Sequence, residues 1–470
     1  MKKENDKINN INLIRSIFIG LFAILIINIV YFNSVKSSEV IISPYNPRLD
    51  LLEERIIRGK ILTRNKEILA ESIQLEDGTF TRVYPQENLF AHIIGFSSNG
   101  KSGLESYANY KLLSSNDNLF IKSWNELRNK KNKGNNIITT LDLELQKVAY
   151  EAIGDNKGAI VAIEPSTGKI LSMVSKPDFN PNEIEWLIDE IVEEDPQNTF
   201  LLNRATQGLY PPGSTFKILT ALTYILDNPT WTSFNYTCNG EDVFYGNDIH
   251  CYSNVSHGQV DLSKAIAYSC NTALAEIGTD IDLERLKKLS ERFLFNNPLP
   301  LSLPYSKSSY VLNFYSPKED IPETVIGQGK TLITPFHNAL ISATVANGGI
   351  MMKPYIINSV ENDSGKLIEK TIPKQYERII EPSSAFLITK FMKQVVEEGT
   401  ARGLNELPFT VAGKTGSAEH KKDQKTHAWF IGFAPVENPQ IAISILVEDV
   451  GTSSEFAIPI AEKMLTTYLR

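Results

Sequence analysis

The sequence contains a serine and a lysine at a spacing that suits a nucleophile and its base. Ser214 and Lys217 stand at the start of a largely apolar stretch, residues 215–222, which predicts a buried helix with both side chains on one face. A serine hydroxyl becomes a good nucleophile only when a nearby base accepts its proton, and burial can keep a lysine neutral enough to do so. The alternative is that Ser214 is an ordinary helix cap and Lys217 a solvated residue.

The same Ser-x-x-Lys spacing occurs at two other places, so the local context has to decide between them. Ser98 and Lys101 fall in a glycine-containing turn, and Ser166 and Lys169 fall in a predicted hairpin turn. Neither turn would hold the serine against its lysine. Ser214 is therefore the candidate nucleophile.

A second motif is Lys414-Thr415-Gly416-Ser417, which contains the only Lys-Thr-Gly of the chain and follows a predicted strand at residues 409–412. On an edge strand, Lys414 and Thr415 could bind a substrate carboxylate, and Gly416 would let a substrate backbone approach closely. The backbone amide of Ser417 could donate to an oxyanion. The alternative is a strand end that runs into a polar loop.

A third motif is Ser269-Cys270-Asn271, which lies between predicted helices at residues 261–268 and 272–277. Ser-x-Asn is a common spacing and also occurs elsewhere in the chain. The order of the three motifs along the chain is more informative than the spacing within this one. A Ser-x-x-Lys that opens a helix, a Ser-x-Asn between helices and a Lys-Thr-Gly on a late strand together indicate one catalytic set.

The three cysteines of the chain and one histidine form a possible metal site beside the third motif. These residues are Cys238, Cys251, His257 and Cys270. Together they would complete a tetrahedral Cys3His zinc site, and a metal there would fix the positions of Ser269 and Asn271. Two alternatives stay open: a Cys238–Cys251 disulfide with Cys270 buried as a small apolar residue, or three unlinked thiols.

The elements that must position these residues are predicted to come from two distant parts of the chain. Apolar runs predict strands at residues 158–163, 169–174, 409–412, 427–434 and 441–448, with a closing amphipathic helix at 453–469. Helical stretches separate the two groups of strands. The simplest architecture is an α+β fold with one five-stranded antiparallel sheet covered by helices.

The N-terminus is predicted to be an uncleaved membrane anchor. Residues 16–35 are 20 uncharged residues, 15 of them apolar, and such a helix spans about 30 Å, the thickness of a hydrocarbon core. Residues 1–15 carry a net positive charge, so the positive-inside rule predicts a cytoplasmic tail and a catalytic part outside the cell membrane. A buried core helix is the alternative.

Composition and charge limit the remaining possibilities. The chain has 470 residues, of which 42% are hydrophobic and 22% charged, with a net charge of −8. These values predict a folded chain, and without a long basic block they argue against a nucleic-acid partner. We expect a small α+β module at residues 36–136, which we call the pedestal, and a catalytic domain at 137–470.

In their order along the chain, the three motifs resemble the SxxK, SxN and KTG motifs of penicillin-binding proteins. Further similar strings are Ile326-Gly327-Gln328-Gly329, Thr334-Pro335, Ala346-Asn347-Gly348-Gly349 and residues 428–435, and, in the pedestal and just after it, Arg58-Gly59-Lys60-Ile61, Gly103-Leu104-Glu105 and Thr140-Leu141-Asp142. The early strings resemble the class B, monofunctional members. One departure is Thr63-Arg64-Asn65-Lys66, where this family more often has Asp-Arg-Asn-Gly.

The resemblance implies the serine β-lactamase and penicillin-binding-protein fold, and a membrane-anchored D,D-transpeptidase that cross-links peptidoglycan stem peptides and is inhibited by β-lactams. In the implied roles, Ser214 is the nucleophile, Lys217 the base for acylation, Ser269 a proton relay, Asn271 a contact to the donor peptide, Lys414 with Thr415 the carboxylate site, and the amides of Ser214 and Ser417 the oxyanion hole. No cofactor is implied for catalysis. The pedestal is too short for a sugar-polymerising domain, so a polytopic membrane glycan polymerase is the expected partner.

Three other functions use some of the same features. A β-lactamase or β-lactam sensor shares the three motifs, but the Glu-x-x-Leu-Asn string of class A β-lactamases does not occur in the sequence. A D,D-carboxypeptidase differs only in admitting water in place of an amine. A non-enzymatic wall-binding module would leave all three motifs without a role.

Overall fold

The computed structural model describes residues 2–32, 48–98, 100–128, 130–187, 199–418 and 425–470. The N-terminal helix α1 (Lys2–Tyr31) contains a stretch, Leu13–Tyr31, with a mean hydropathy of 2.5, which no other described residue buries. Its 19 residues are long enough to cross a hydrocarbon core. The last residues of the predicted span, 33–35, lie outside the described residues.

The pedestal combines short strands with short helices. The helices are α2 (Arg48–Arg55), α3 (Ala91–Ile94), α4 (Gly103–Tyr107), α5 (Asn109–Leu112) and α6 (Leu119–Leu127). The strands are β1 (Ile56–Ile57), β2 (Ile61–Leu62), β3 (Ile68–Gln74), β4 (Phe80–Val83), β5 (Asn132–Lys133) and β6 (Asn136–Thr139).

One six-stranded sheet joins the pedestal to the second part of the chain. Its order is β15-β14-β6-β2-β3-β4, where β14 (Ile357–Glu361) and β15 (Leu367–Lys370) come from far downstream. Strand β14 pairs antiparallel with β6. The expected boundary between residues 136 and 137 therefore falls at the start of a strand that both parts share.

The second sheet is the predicted five-stranded antiparallel sheet, and its order is β17-β18-β19-β7-β8. The strands are β7 (Gly158–Ile163), β8 (Ile170–Lys176), β17 (Ala412–Ala418), β18 (His427–Ala434) and β19 (Ile441–Val447). Every residue of β7, β18 and β19 is buried. Because helices cover both faces, these strands read as continuous apolar runs instead of an alternating pattern.

The helices that cover this sheet form two groups. Helices α7 (Leu143–Ile153) and α15 (Ala457–Tyr468) pack against each other and against the sheet, and α13 (Pro335–Ala346) packs on it with α14 (Pro382–Glu397). Helix α13 begins where its cap Thr334 accepts a hydrogen bond from the amide of His337, with a proline at its first position.

The remaining elements surround the candidate site. The helices are α8 (Lys217–Asp227), α9 (Leu262–Ala267), α10 (Asn271–Asp280), α11 (Leu283–Arg292) and α12 (Asp320–Val325). The strands are β9 (Tyr236–Cys238), β10 (Glu241–Phe244), β11 (Asn247–His250), β12 (Gly258–Val260), β13 (Ile350–Met352) and β16 (Gln375–Arg378). Strand β9 pairs with β12, and β10 with β11.

The strand predicted at residues 409–412 is wrong in its position. Strand β17 begins only at Ala412 and contains the Lys-Thr-Gly motif, because Ala412 to Ala418 pair residue by residue with β18. Apolar character predicted the strand too early, since cross-strand pairing and not side-chain type sets its ends. The motif consequently lies within an edge strand.

Candidate active site

Ser214 lies in a tight turn that neighbouring segments hold in place. The turn is a 3-10 helix, Gly213–Thr215, and helix α8 begins only at Lys217, so Ser214 precedes the helix instead of lying in its first turn. Gly213 has φ 53 and donates its amide to the carbonyl of Gly327 at 2.8 Å. A Cβ atom on Gly327 would lie 1.9 Å from the Gly213 carbonyl oxygen. Only glycine therefore permits this crossing.

Lys217 lies beneath the cleft, with its side chain completely buried. Its Nζ donates to the Asn271 Oδ1 at 2.6 Å and to the Ser269 carbonyl at 2.7 Å, and lies 3.4 Å from the Ser269 Oγ. Burial lowers the pKa of Lys217 to about 8, although the nearby sulfurs of Cys270 and Cys251 act in the opposite direction. At pH 7 about a tenth of this amine is therefore neutral, far more than for an ordinary lysine.

Lys414 approaches the same serine from strand β17. It is also completely buried, and its Nζ donates to the Ser269 Oγ at 2.9 Å and to the Thr415 carbonyl at 3.1 Å. Burial, and then the charge of Lys217, hold the pKa of Lys414 well below its usual value. Ser269 thus stands between two buried amines.

Strand β17 runs directly beside the turn that contains Ser214. A Cβ atom on Gly416 would lie 3.1 Å from the Thr215 side chain, so the strand and the turn are in close contact. The Gly416 carbonyl accepts a hydrogen bond from Ser453 at 2.7 Å, and the hydroxyls of Thr415 and Thr400 hydrogen-bond each other. These contacts fix the strand that carries the predicted binding residues.

The motifs meet around one cleft of about 460 Å³. The predicted residues that line it are Ser214, Ser269, Asn271, Thr415, Gly416 and Ser417. Lys217 and Lys414 lie under its floor. The cleft opens to solvent on the side of residues 250–254. It is large enough for a short peptide segment.

Some residues of the cleft were not predicted from the sequence. Gln328 donates to the Ser417 carbonyl at 3.3 Å, and Thr400 and Ser453 support β17 as described above. Gln328 belongs to the string Ile326-Gly327-Gln328-Gly329, whose resemblance to penicillin-binding proteins was the sequence signal that could have identified it. Thr400 and Ser453 stand in no motif, so only the tertiary contacts identify them.

In the other two Ser-x-x-Lys pairs, each lysine forms an ion pair with a glutamate. The Lys101 amine is paired with Glu53 at 3.0 Å, and the Lys169 amine with Glu164 at 2.9 Å. Each lysine is thus engaged by a carboxylate. Of the three pairs, Ser214 and Lys217 alone combine a cleft with a buried amine.

The predicted metal ligands lie together against one wall of the cleft. The ligand atoms of Cys238, Cys251, His257 and Cys270 all lie within 4.8 Å of one another. Cys251 and His257 also line the cleft.

Chemically, the arrangement supplies a partly exposed hydroxyl, buried amines that can lose a proton, and an edge strand that can bind an extended peptide. Together these features suit acyl transfer through a serine ester.

Two family models match the chain. The penicillin binding protein transpeptidase domain matches residues 158–466, and the penicillin binding protein A dimerisation domain matches residues 58–137. The first match includes all three motifs, and the second lies in the pedestal.

Curated relatives are similar over nearly the whole chain. The peptidoglycan D,D-transpeptidase PbpA of Mycolicibacterium smegmatis is 34% identical, and the match covers 91% of this chain and 92% of that protein. The peptidoglycan D,D-transpeptidase MrdA of Acinetobacter baumannii is 27% identical over 92% of this chain and 76% of that protein.

Solved structures agree with this. The ceftriaxone acyl-enzyme complex of penicillin-binding protein A from M. tuberculosis matches with a TM-score of 0.81 and 30% identity, covering 90% of this chain and 100% of that chain. The D,D-transpeptidase domain of a peptidoglycan glycosyltransferase from Eggerthella lenta matches with a TM-score of 0.79 and 28% identity, over 88% and 98%.

Proposed function

This chain belongs to the penicillin-binding protein family, and on that basis we propose that it is a membrane-anchored D,D-transpeptidase that cross-links peptidoglycan stem peptides. The observation that carries the proposal is the meeting of Ser214, Lys217, Ser269, Asn271 and Lys414 at one cleft. A nucleophile, two lowered-pKa amines and a peptide-binding edge strand are the parts that a serine acyl transfer needs.

In the first half-reaction, the Ser214 Oγ attacks the carbonyl between the two D-alanines of a pentapeptide stem. Lys217 accepts the serine proton, and the amides of Ser214 and Ser417 stabilise the oxyanion. The C–N bond between the two D-alanines then breaks, and the rest of the stem stays bound to Ser214 as an ester. The leaving D-alanine amine takes up a proton that Ser269 relays from the lysines, since Ser269 contacts both amines.

The substrate itself helps to make Lys217 the base. Two ammonium groups that contact one serine repel each other, so one of them loses its proton readily. A terminal carboxylate bound by Lys414 and Thr415 would favour the ammonium form of Lys414. That charge in turn favours the neutral form of Lys217. Asn271 contacts the donor peptide and orients the Lys217 amine.

In the second half-reaction, the amine of a neighbouring stem attacks the ester carbonyl of the acyl-enzyme. A new amide forms, the ester C–O bond breaks, and the Ser214 oxygen recovers a proton from the attacking amine through Lys217. β-Lactams enter the same site, because their lactam and carboxylate imitate D-alanyl-D-alanine, and they leave a stable ester on Ser214.

The anchor places this chemistry outside the cell membrane. The apolar stretch Leu13–Tyr31 is long and apolar enough to span the membrane once, and the cations at its N-terminal side would keep the N-terminus in the cytoplasm. These cations are Lys2, Lys3 and Lys7, which precede the stretch, and Arg15, which lies near its start. The catalytic domain then lies on the side where peptidoglycan is built.

We propose that the glycan strands come from a second protein. The pedestal, residues 36–136, is too short to hold a sugar-polymerising domain. A polytopic membrane glycan polymerase would work on the same membrane surface, with the anchor and the pedestal as its points of contact.

Labelling with a fluorescent penicillin tests the proposed activity. Wild type and Ser166→Ala, a matched change in another Ser-x-x-Lys pair, should be labelled covalently, and Ser214→Ala should not. The thermal midpoint of Ser214→Ala should stay close to that of wild type, because this side chain lies at the cleft and not in the core. A label that persists on Ser214→Ala would overturn the assignment, and an unlabelled wild type would favour a wall-binding module.

Product analysis separates the related enzymes. Two stem peptides should give a cross-linked dimer with release of D-alanine. Release of D-alanine without a dimer would instead indicate a D,D-carboxypeptidase. Rapid turnover of penicillin would indicate a β-lactamase.

A further inference from the structure

Three sulfurs and an imidazole nitrogen surround one point beside the cleft. The Cys251 Sγ lies 3.7 Å from the Cys238 Sγ and 3.8 Å from the Cys270 Sγ. The His257 Nδ1 lies 3.4 Å from the Cys238 Sγ. All four ligand atoms fall within 4.8 Å of one another.

Three of the six separations between these ligand atoms match those of a tetrahedral zinc site. With Zn–S bonds of about 2.3 Å and a Zn–N bond of about 2.0 Å, ligand atoms at tetrahedral angles lie about 3.8 Å apart for two sulfurs and about 3.5 Å apart for a sulfur and a nitrogen. The separations of 3.7, 3.8 and 3.4 Å match these values closely.

Each ligand is presented by a different local element. Cys238 ends strand β9, Cys251 follows strand β11, His257 directly precedes strand β12, and Cys270 caps helix α10. The set therefore joins two small hairpin-like sheets to the helix that carries the third motif. Such small sheets have little core of their own, which is where structural zinc commonly supplies stability.

The surroundings suit thiolate ligands. All three cysteines are buried, so their charged forms would need a nearby cation or hydrogen-bond donors to be stable. The Thr272 hydroxyl donates to the Cys238 Sγ at 3.3 Å, and the Ala273 amide donates to the Cys270 Sγ at 3.5 Å. Hydrogen bonds to coordinated sulfurs are a usual outer shell of such sites. The His257 ring stacks on Tyr268, which fixes its orientation.

A disulfide fits the same residues less well. The Cys251 Sγ stands nearly equally far from the other two sulfurs, so a bond to one would leave the other thiol and the imidazole without a role. Thiolates with an imidazole select zinc among the common divalent ions, and four protein ligands leave no open position for catalysis.

We propose that Cys238, Cys251, His257 and Cys270 bind one structural Zn²⁺ that holds the Ser269-Cys270-Asn271 segment in its active position. Cys270 lies between the two residues of the motif that contact Lys217. Asn271 also donates to the His250 carbonyl at 2.7 Å, and His250 is the neighbour of Cys251. The metal would thus fix Asn271 from both sides. Metal binding is independent of the proposed function, but this positioning role rests on it.

Metal analysis of the purified full-length protein tests the site directly. We expect one zinc per chain and cysteines that react with a thiol reagent only after chelation. Replacement by Co²⁺ should give the absorption bands of a tetrahedral thiolate site. His257→Asn should reduce the zinc content well below one per chain, whereas His250→Asn, a change of a nearby histidine outside the set, should retain it.

Two results would overturn the site. Absence of zinc with a single reactive thiol in the protein unfolded without reductant would show that two of the cysteines form a disulfide, as in the Cys238–Cys251 alternative. Absence of zinc with three reactive thiols would show that the cysteines are unlinked. Both measurements use wild-type protein, so a variant that fails to fold does not affect them.

Fluorescent penicillin labelling separates the metal from the activity. If Zn²⁺ positions Asn271, chelation should slow the labelling of Ser214 by at least about tenfold, and added zinc should restore it. Labelling that is unchanged after complete removal of zinc would reject the positioning role and leave the proposed function intact. Absence of labelling in the zinc-loaded protein would count against the proposed function alone.

Discussion

At the scale of single residues, the site depends on two completely buried lysines. Lys217 and Lys414 are both 0% exposed, although lysine is among the residues least often buried. Burying a charge is costly, so both amines are driven toward their neutral forms. What makes them useful is that they share one partner, Ser269, through which protons can pass.

Loss of the Lys217 amine should nearly abolish acylation. We expect Lys217→Met to lower the second-order rate of penicillin labelling by at least about a thousandfold, because nucleophile and base act as a unit. Its folding stability should change little or rise, since an apolar side chain replaces a buried amine. Lys169→Met, in another Ser-x-x-Lys pair, is the control and should label normally. A small effect of Lys217→Met would support the helix-cap alternative.

Acylation should rise with pH in the range where Lys217 loses its proton. The pKa of Lys217 lies near 8, so the labelling rate should increase from pH 6 and level off above about pH 8. The unfolded chain holds this proton more tightly, because an ordinary lysine pKa is about 10.4. Stability should therefore also rise between these two pKa values. Stopped-flow labelling checks the first effect, and a rate that falls with pH would contradict it.

The sequence predicted the chemically active residues but not all of their supports. Ser214, Lys217, Ser269, Asn271 and Lys414 could be identified because their types and order are unusual. Other residues of the site have ordinary types in ordinary contexts, and they act only through contacts that the fold creates. These residues are Gln328, Thr400 and Ser453.

At the scale of elements, the close contact between Gly213 and Gly327 holds the turn that contains Ser214. The Gly213 amide donates to the Gly327 carbonyl, and both residues have positive φ. The indole of Trp429 in strand β18 donates to the Pro211 carbonyl at 3.0 Å. The turn is thus fixed from the sheet and from the segment after α12.

A methyl group at this crossing should displace the nucleophile. Gly327→Ala would place a Cβ atom 1.9 Å from the Gly213 carbonyl oxygen, and a displacement of about 1 Å can lower a rate about a hundredfold. Gly365→Ala is a matched control, since Gly365 has a similar φ of +82 with open space around it. We expect both variants to lose some thermal stability and only Gly327→Ala to lose labelling. Equal labelling of the two would show that the crossing does not position Ser214.

The strands were predicted well where burial alone defines them. Strands β7 and β18 have the predicted bounds, because each is an uninterrupted apolar run. Strand β17 was misplaced, since Lys414 and Gly416 are of types depleted in strands in general and belong to this sheet through their pairing with β18.

At the scale of the whole molecule, the fold implied by the three motifs is confirmed: a five-stranded antiparallel sheet flanked by helices, with a pedestal and an apolar N-terminal helix. The sharing of one sheet by the pedestal and the later chain was not predictable. Strands β14 and β15 carry no signal of the distant partner β6, because a sequence shows which segments are strands and not which strands pair.

Removal of the anchor should leave a competent enzyme. The apolar part of α1 is not buried by any part of the chain that the structure describes, so residues 36–470 should be soluble and should be labelled by penicillin at an unchanged rate. Labelling of detergent-solubilised full-length protein provides the reference. A truncated protein that folds but is not labelled would show that the site needs the membrane or the anchor.

The shared sheet also sets the order in which the molecule can be completed during synthesis. One edge of strand β6 must wait for β14, and the edge of β7 that does not pair with β8 must wait for β19, which is made near the end of the chain. Pairings this distant in sequence form slowly and leave apolar strand edges open meanwhile. The edge strand with Lys414 is therefore among the last parts to be added. A nascent chain holds Ser214 long before it has an active site, so premature acylation is avoided by the order of the chain alone.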